Sequence, residues 1–90
     1  MRFPDFSNQL HSITQTSAQW TATQDCWLQG IVRGANNSAG LVYVNGISVG
    51  GVYVENASDC LVAVFVPVKA GAVISTRNVG TYDLKVYGCA

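Results

Sequence analysis

The 90-residue chain predicts an all-β fold: an antiparallel β-sandwich of about seven or eight short strands with jelly-roll or Greek-key connections. Three observations predict it. Val, Ile and Thr supply 23 of the 90 residues and nine aromatics join them, and these side chains suit a pleated, half-buried surface. Glycines and Asn/Asp/Ser clusters break the chain about every eight to twelve residues, the spacing of short strands and turns. No segment carries a sustained helical period; the sole helical candidate is a turn or two near Pro4 to Leu10.

Taken in order, residues 1–15 read as an N-terminal arm that becomes a strand near its end, and residues 16–90 as the sandwich domain. Over 17–22, Ala18, Trp20 and Ala22 alternate with polar residues, and Thr23-Gln24-Asp25 makes a turn. Over 26–33, Cys26, Leu28, Gly30 and Val32 take one face and Trp27, Gln29, Ile31 and Arg33 the other. Residues 34–40 have loop composition. A strand at 41–44 runs into Asn45-Gly46, a two-residue hairpin signal in which both residues need positive φ. Gly46→Val is therefore expected to be more damaging than Gly34→Val. The returning strand, 47–54, is broken at Gly50-Gly51 by a bulge or bend. After a loop at 55–59, residues 60–68 are almost wholly apolar, with Pro67 ending the ladder or marking an edge. Lys69-Ala70-Gly71 turns the chain into 72–77, and Asn78-Val79-Gly80 turns it into a last strand, 81–88.

Composition narrows the function classes. Charged residues make up 11% of the chain and the net charge is zero, so no basic stripe exists to track phosphates or an anionic bilayer. Neither nucleic acid nor membrane insertion is expected, as no apolar run reaches the roughly 18 residues of a spanning helix. The opening MRFPDFSNQLHS lacks the apolar stretch of a signal peptide, so synthesis in a reducing cytoplasm is expected.

Several strands have two apolar faces where a sandwich needs one. In 60–68 the valines of the even positions oppose Leu61, Ala63 and Phe65; in 41–44 Leu41 and Tyr43 oppose Val42 and Val44; Trp27 and Ile31 lie opposite the presumed core face. Trp27, Ile31, Leu41, Tyr43, Leu61 and Phe65 are thus the candidate self-association residues, since monomers rarely expose contiguous apolar patches beyond a few hundred Å². The competing reading is an internal cover, to which Phe3 and Phe6 of the arm would contribute.

Three stretches, WTATQDCWLQGIVRG (20–34), VFVPVKAGAVISTR (64–77) and TYDLKVYG (81–88), together resemble small bacteriophage fibre-tip and virion-surface domains. The last two are also similar to the trimeric jelly-roll heads of the complement and tumour-necrosis-factor type. The resemblance covers most of 18–90. The chain departs from it at Ala72, where an acidic residue often follows the turn glycine, and in carrying no collagen-like or coiled-coil stalk. The resemblance implies a homo-oligomer, a trimer first, on a virion surface among other virion proteins, with a host surface glycan as a further partner.

Catalytic and metal chemistry find little purchase. His11 is the one histidine and reads as a solvated side chain rather than a triad member. Of the acids Asp5, Asp25, Glu55, Asp59 and Asp83, four fall in or beside turns or in the arm, where carboxylates cap backbone. Cys26, Cys60 and Cys89 form no metal-ligand spacing; Cys26 and Cys60 read as buried free thiols, with a bridge between them as the alternative. Trp20 and Trp27 read as packing residues, with sugar stacking as the alternative. In that case Asn36, Asn37, Asn56, Asp59 and Asn78 would be the ligand-binding candidates. No cofactor is expected. The reading is a non-enzymatic structural or host-recognition component of a phage particle; the alternative is a bacterial lectin-like carbohydrate-binding module.

Overall fold

The computed structural model describes residues 2–14, 19–34, 38–54 and 61–90. Eight strands account for most of them: β1 (Pro4–Ile13), β2 (Trp20–Thr21), β3 (Cys26–Gly34), β4 (Ser38–Val44), β5 (Ile47–Val54), β6 (Leu61–Val68), β7 (Val73–Arg77) and β8 (Val79–Cys89). They form two four-stranded sheets, β1-β8-β3-β6 and β2-β7-β4-β5. Every pairing is antiparallel. The chain pairs as one long hairpin, β1 with β8, β2 with β7, β3 with β6 and β4 with β5. It is then wrapped so that β8 meets β3 and β7 meets β4. That order is the jelly roll, a double Greek key.

The alternation read from the sequence places the core. On β3, Cys26, Leu28, Gly30 and Val32 are buried while Ile31 and Arg33 are exposed. On β6, Val64 and Val68 are buried and Leu61, Ala63, Phe65 and Pro67 are exposed. These side chains meet Val42 and Ile74 of the second sheet, with Ile13, Leu84 and Val86 completing the layer. Each fully buried aliphatic side chain contributes about 1.5–3 kcal/mol. Among the described residues no polar side chain is buried.

The hairpin at Asn45-Gly46 has φ of 52° and 77°, and Val44 faces Ile47 directly across it. One extra residue, Val49, enters β5 between Ser48 and Gly50, so the bulge falls just before the glycine pair. Pro67 lies on β6, an edge strand, where a missing N–H is tolerated. Asn78 takes φ 53° at the turn into β8.

Several expectations change. Gly34 and residues 38–40, read as loop, belong to β3 and β4, and Val79-Gly80, read as turn, opens β8 because the positive φ needed to reverse the chain is taken by Asn78. The helical turn considered for Pro4 to Leu10 is strand instead: β1 starts at Pro4 and forms an edge of the first sheet. Its pairing with β8 is regular from His11 to Ile13 and irregular between Pro4 and His11, with register shifts on both sides of Gln9. The cause is local. The Asp5 carboxylate accepts hydrogen bonds from the Ser7 amide (3.0 Å) and hydroxyl (2.6 Å), which draws this stretch out of the ladder. The same bonds hold the Asp5 carboxyl below its ordinary pKa. Finally, His11 is half-buried, its ring stacked on Trp20 at 5.2 Å and 5° between planes, rather than simply solvated.

Candidate functional site

The outer face of the β1-β8-β3-β6 sheet is where apolar surface collects. β3 aims Trp27 and Ile31 outward because Leu28 and Val32 point inward, and β6 aims Leu61, Ala63 and Phe65 outward for the same reason. Register brings them together: Arg33 pairs with Leu61, Ile31 with Ala63, Gln29 with Phe65 and Trp27 with Pro67. The Trp27 and Phe65 rings lie 4.9 Å apart. The irregular stretch of β1 swings Phe6 over this face, where it meets Tyr87 edge-on at 5.1 Å and stacks on Phe65 at 6.4 Å. Four aromatics, one from each strand, therefore form a single cluster, a geometry that contributes about 0.5–1.5 kcal/mol per pair beyond area burial.

The cluster leaves much of itself in solvent. Leu61 is 55% exposed, Phe65 53%, Phe6 59% and Ile31 42%. Beside it runs a groove of about 340 Å³, walled by Phe6, Ile31, Ala63 and Phe65, with Gln29 as its polar contribution. Trp27 is fixed in place, since its indole N–H donates to the Arg2 carbonyl at 2.8 Å. The chain ends are tied alongside, with the Ala90 amide donating to the Phe3 carbonyl at 2.8 Å. Phe6 thus supplies part of the internal cover considered above, while Phe3 is itself exposed.

The six candidate self-association residues divide between two sides of the molecule. Trp27, Ile31, Leu61 and Phe65 share the outer face just described. Leu41 and Tyr43 lie on β4, and because Val42 is buried they point away from the opposite sheet. There they are half-buried, and their partners are polar or small: Arg77 and Gly51 beside Leu41, Ser75 and Ser48 beside Tyr43. On the second sheet the exposed large apolar side chain among the described residues is Ile47, beside the hairpin turn, and no aromatic cluster is described there.

Of the ligand-binding candidates, Asn36, Asn37, Asn56 and Asp59 lie outside the described residues, and Asn78 is an exposed turn residue. Both tryptophans are engaged in packing, Trp20 against the core and His11, Trp27 against Phe65. Asp25 accepts the Ala70 amide at 3.0 Å, pinning the β2–β3 connection to the β6–β7 turn. Asp83 faces Lys85 at 3.6 Å in an exposed pair. Among the described residues no three His, Cys, Asp or Glu side chains gather to hold a metal ion. Cys26 is a buried free thiol, and burial pushes its pKa up to about 11; Cys89 is also free. Cys60 lies outside the described residues; Cys26 pairs with Val68, at the far end of β6 from Leu61. Ala72 is buried, so the acidic residue of the resembling domains would be desolvated at this position.

Sequence reasoning offered Phe6 as a covering residue of the arm and left it out of the six self-association candidates. The available signal was Asp5-x-Ser7, a pattern that bonds side chain to backbone two residues on. Comparison with protein families, with curated proteins and with solved structures finds no match to this chain.

Proposed function

We infer that this protein is a non-enzymatic building block that works as a homo-oligomer, in the role of a structural or host-recognition component of a phage surface. The observation that carries the self-association is the exposed apolar cluster on the outer face of β1-β8-β3-β6, with Leu61, Phe65 and Phe6 each more than half exposed in the single chain. Such an exposed apolar cluster marks an association surface. The phage assignment draws on the three sequence stretches that resemble virion-surface domains, and jelly-roll connectivity agrees with it. Light scattering on the purified protein tests the oligomer: a mass that is a multiple of 9.6 kDa is expected, and a folded 9.6-kDa particle at micromolar concentration would refute it.

A lectin-like module is the second reading, favoured by the groove that sets Phe6 and Phe65 beside the Gln29 amide. Binding on a glycan array that is lost on Phe65→Ala, with the protein monomeric, would select it.

A further inference from the structure

We propose that two copies of this chain pair through the free edges of β6, antiparallel about a twofold axis at Ala63, joining the two β1-β8-β3-β6 sheets into one of eight strands. The proposal deepens the self-association reading above and rests on it.

The four sheet edges are not equivalent. β1 carries Asp5 and an irregular register; β2 has two residues; β5 is bulged at Val49. β6 is eight residues long, regular against β3 from end to end, and has no charged side chain. Bulges, charges, irregularity and shortness are the devices that blunt an edge, and β6 has only Pro67 at one end.

Pro67 also fixes which groups the edge offers. Trp27 pairs with Pro67, and proline has no N–H to exchange, so the ladder bonds at this point run through the neighbouring pairs. Hence Cys26–Val68, Leu28–Val66, Gly30–Val64 and Val32–Val62 are the bonded pairs. Leu61, Ala63 and Phe65 then turn their N–H and C=O groups toward the free edge. These same three residues carry the exposed outer-face side chains.

An axis at Ala63 uses all three. Ala63 faces its own counterpart, Leu61 faces Phe65 of the second copy, and Phe65 faces Leu61. About six backbone hydrogen bonds form, in three bonded pairs. The smallest side chain sits on the axis and two Leu–Phe contacts flank it, covering the two most exposed apolar side chains of β6. Pro67 lies beyond the paired stretch. The contact is isologous and closes at two copies.

Cross-linking tests it, in a parent whose Cys60 and Cys89 are replaced by serine. In a bonded antiparallel pair the Cα atoms are about 5.5 Å apart, within disulfide reach. Ala63→Cys should therefore give a covalent dimer on mild oxidation. Leu61→Cys, about 13 Å from its own counterpart at roughly 3.3 Å per residue, should not. Ala63→Lys, at an exposed position, should keep the wild-type far-ultraviolet circular dichroism and a cooperative melt, while the mass falls to that of one chain and the melt loses its dependence on protein concentration. A monomeric parent overturns both this pairing and the self-association reading. A trimer overturns the edge pairing alone, as does a dimer in which Ala63→Cys forms no bond, Leu61→Cys bonds equally, or Ala63→Lys leaves the mass unchanged.

Discussion

Gly30→Ala should be the most damaging single-atom-scale change in this molecule. Gly30 sits in the middle of β3, the strand held between β8 and β6, with φ of 149°. That conformation is open to glycine and strained for other residues, a cost of about 1–3 kcal/mol. A Cβ there would also overlap the Asp83 carbonyl oxygen and come within 2.8 Å of the Leu84 Cα. Both obstacles are backbone, so β8 must move, and the flanking bonded pairs Gln29–Lys85 and Ile31–Asp83 are pulled apart with it. Two ladder bonds at about 1 kcal/mol each bring the total to roughly 3–5 kcal/mol. A domain of this size has about 5–15 kcal/mol in all, and each kcal/mol lowers Tm by about 4–8 °C. A drop of at least about 12 °C is therefore expected in a circular-dichroism melt. A Tm within about 2 °C of wild type would refute the reasoning, because it would mean that β3 does not carry Gly30 in this conformation between its neighbours.

Gly46→Val should cost about 1–3 kcal/mol, read as a shift in the urea midpoint. Its φ of 77° is strained for valine but nothing crowds the position, and an unchanged midpoint would remove the hairpin turn from the account. Gly34, the position ranked below it, is itself buried, and urea midpoints of the two valine variants decide their order. Cys26 should resist Ellman's reagent at pH 8 until the protein unfolds, and prompt reaction in the native state would contradict its burial. Its folded pKa of about 11 lies above the unfolded 9.0, so its contribution is full below about pH 9 and is lost as pH rises toward 11. Urea midpoints across that range should fall more for wild type than for Cys26→Ala, and parallel curves would refute the linkage. At neutral pH Cys26→Ala should cost on the order of 1 kcal/mol through lost packing.

What was legible in the sequence is what local chemistry writes. The inward set Cys26, Leu28 and Val32 follows from alternation, and the inward valines of β6 follow from the same rule. The Asn45-Gly46 hairpin and the edge placement of Pro67 follow from one missing N–H or one positive φ. What was not legible depends on which strands meet. Leu41 and Phe65 look equivalent as outward residues, and strand order alone puts them on opposite sides of the sandwich, one among polar partners and one among aromatics. Gly30 reads as a small residue on a buried face; its conformation is set by the approach of Asp83 from a strand some fifty residues later in the chain. Phe6 reads as part of an arm because the bonds from Ser7 to Asp5 that place it lie in side chains the periodicity ignores.

The central claim is that association runs through the outer side of β1-β8-β3-β6 and spares the opposite sheet. The most direct measurement is the solution mass of wild type, Phe65→Glu and Tyr43→Glu, by light scattering at equal concentration. Phe65 and Tyr43 both point out of the sandwich, so either carboxylate can stay in water with the fold kept. The account predicts an oligomer for wild type and Tyr43→Glu, and a 9.6-kDa particle for Phe65→Glu. An oligomer that survives Phe65→Glu and dissociates with Tyr43→Glu would place the contact on the other sheet and contradict it.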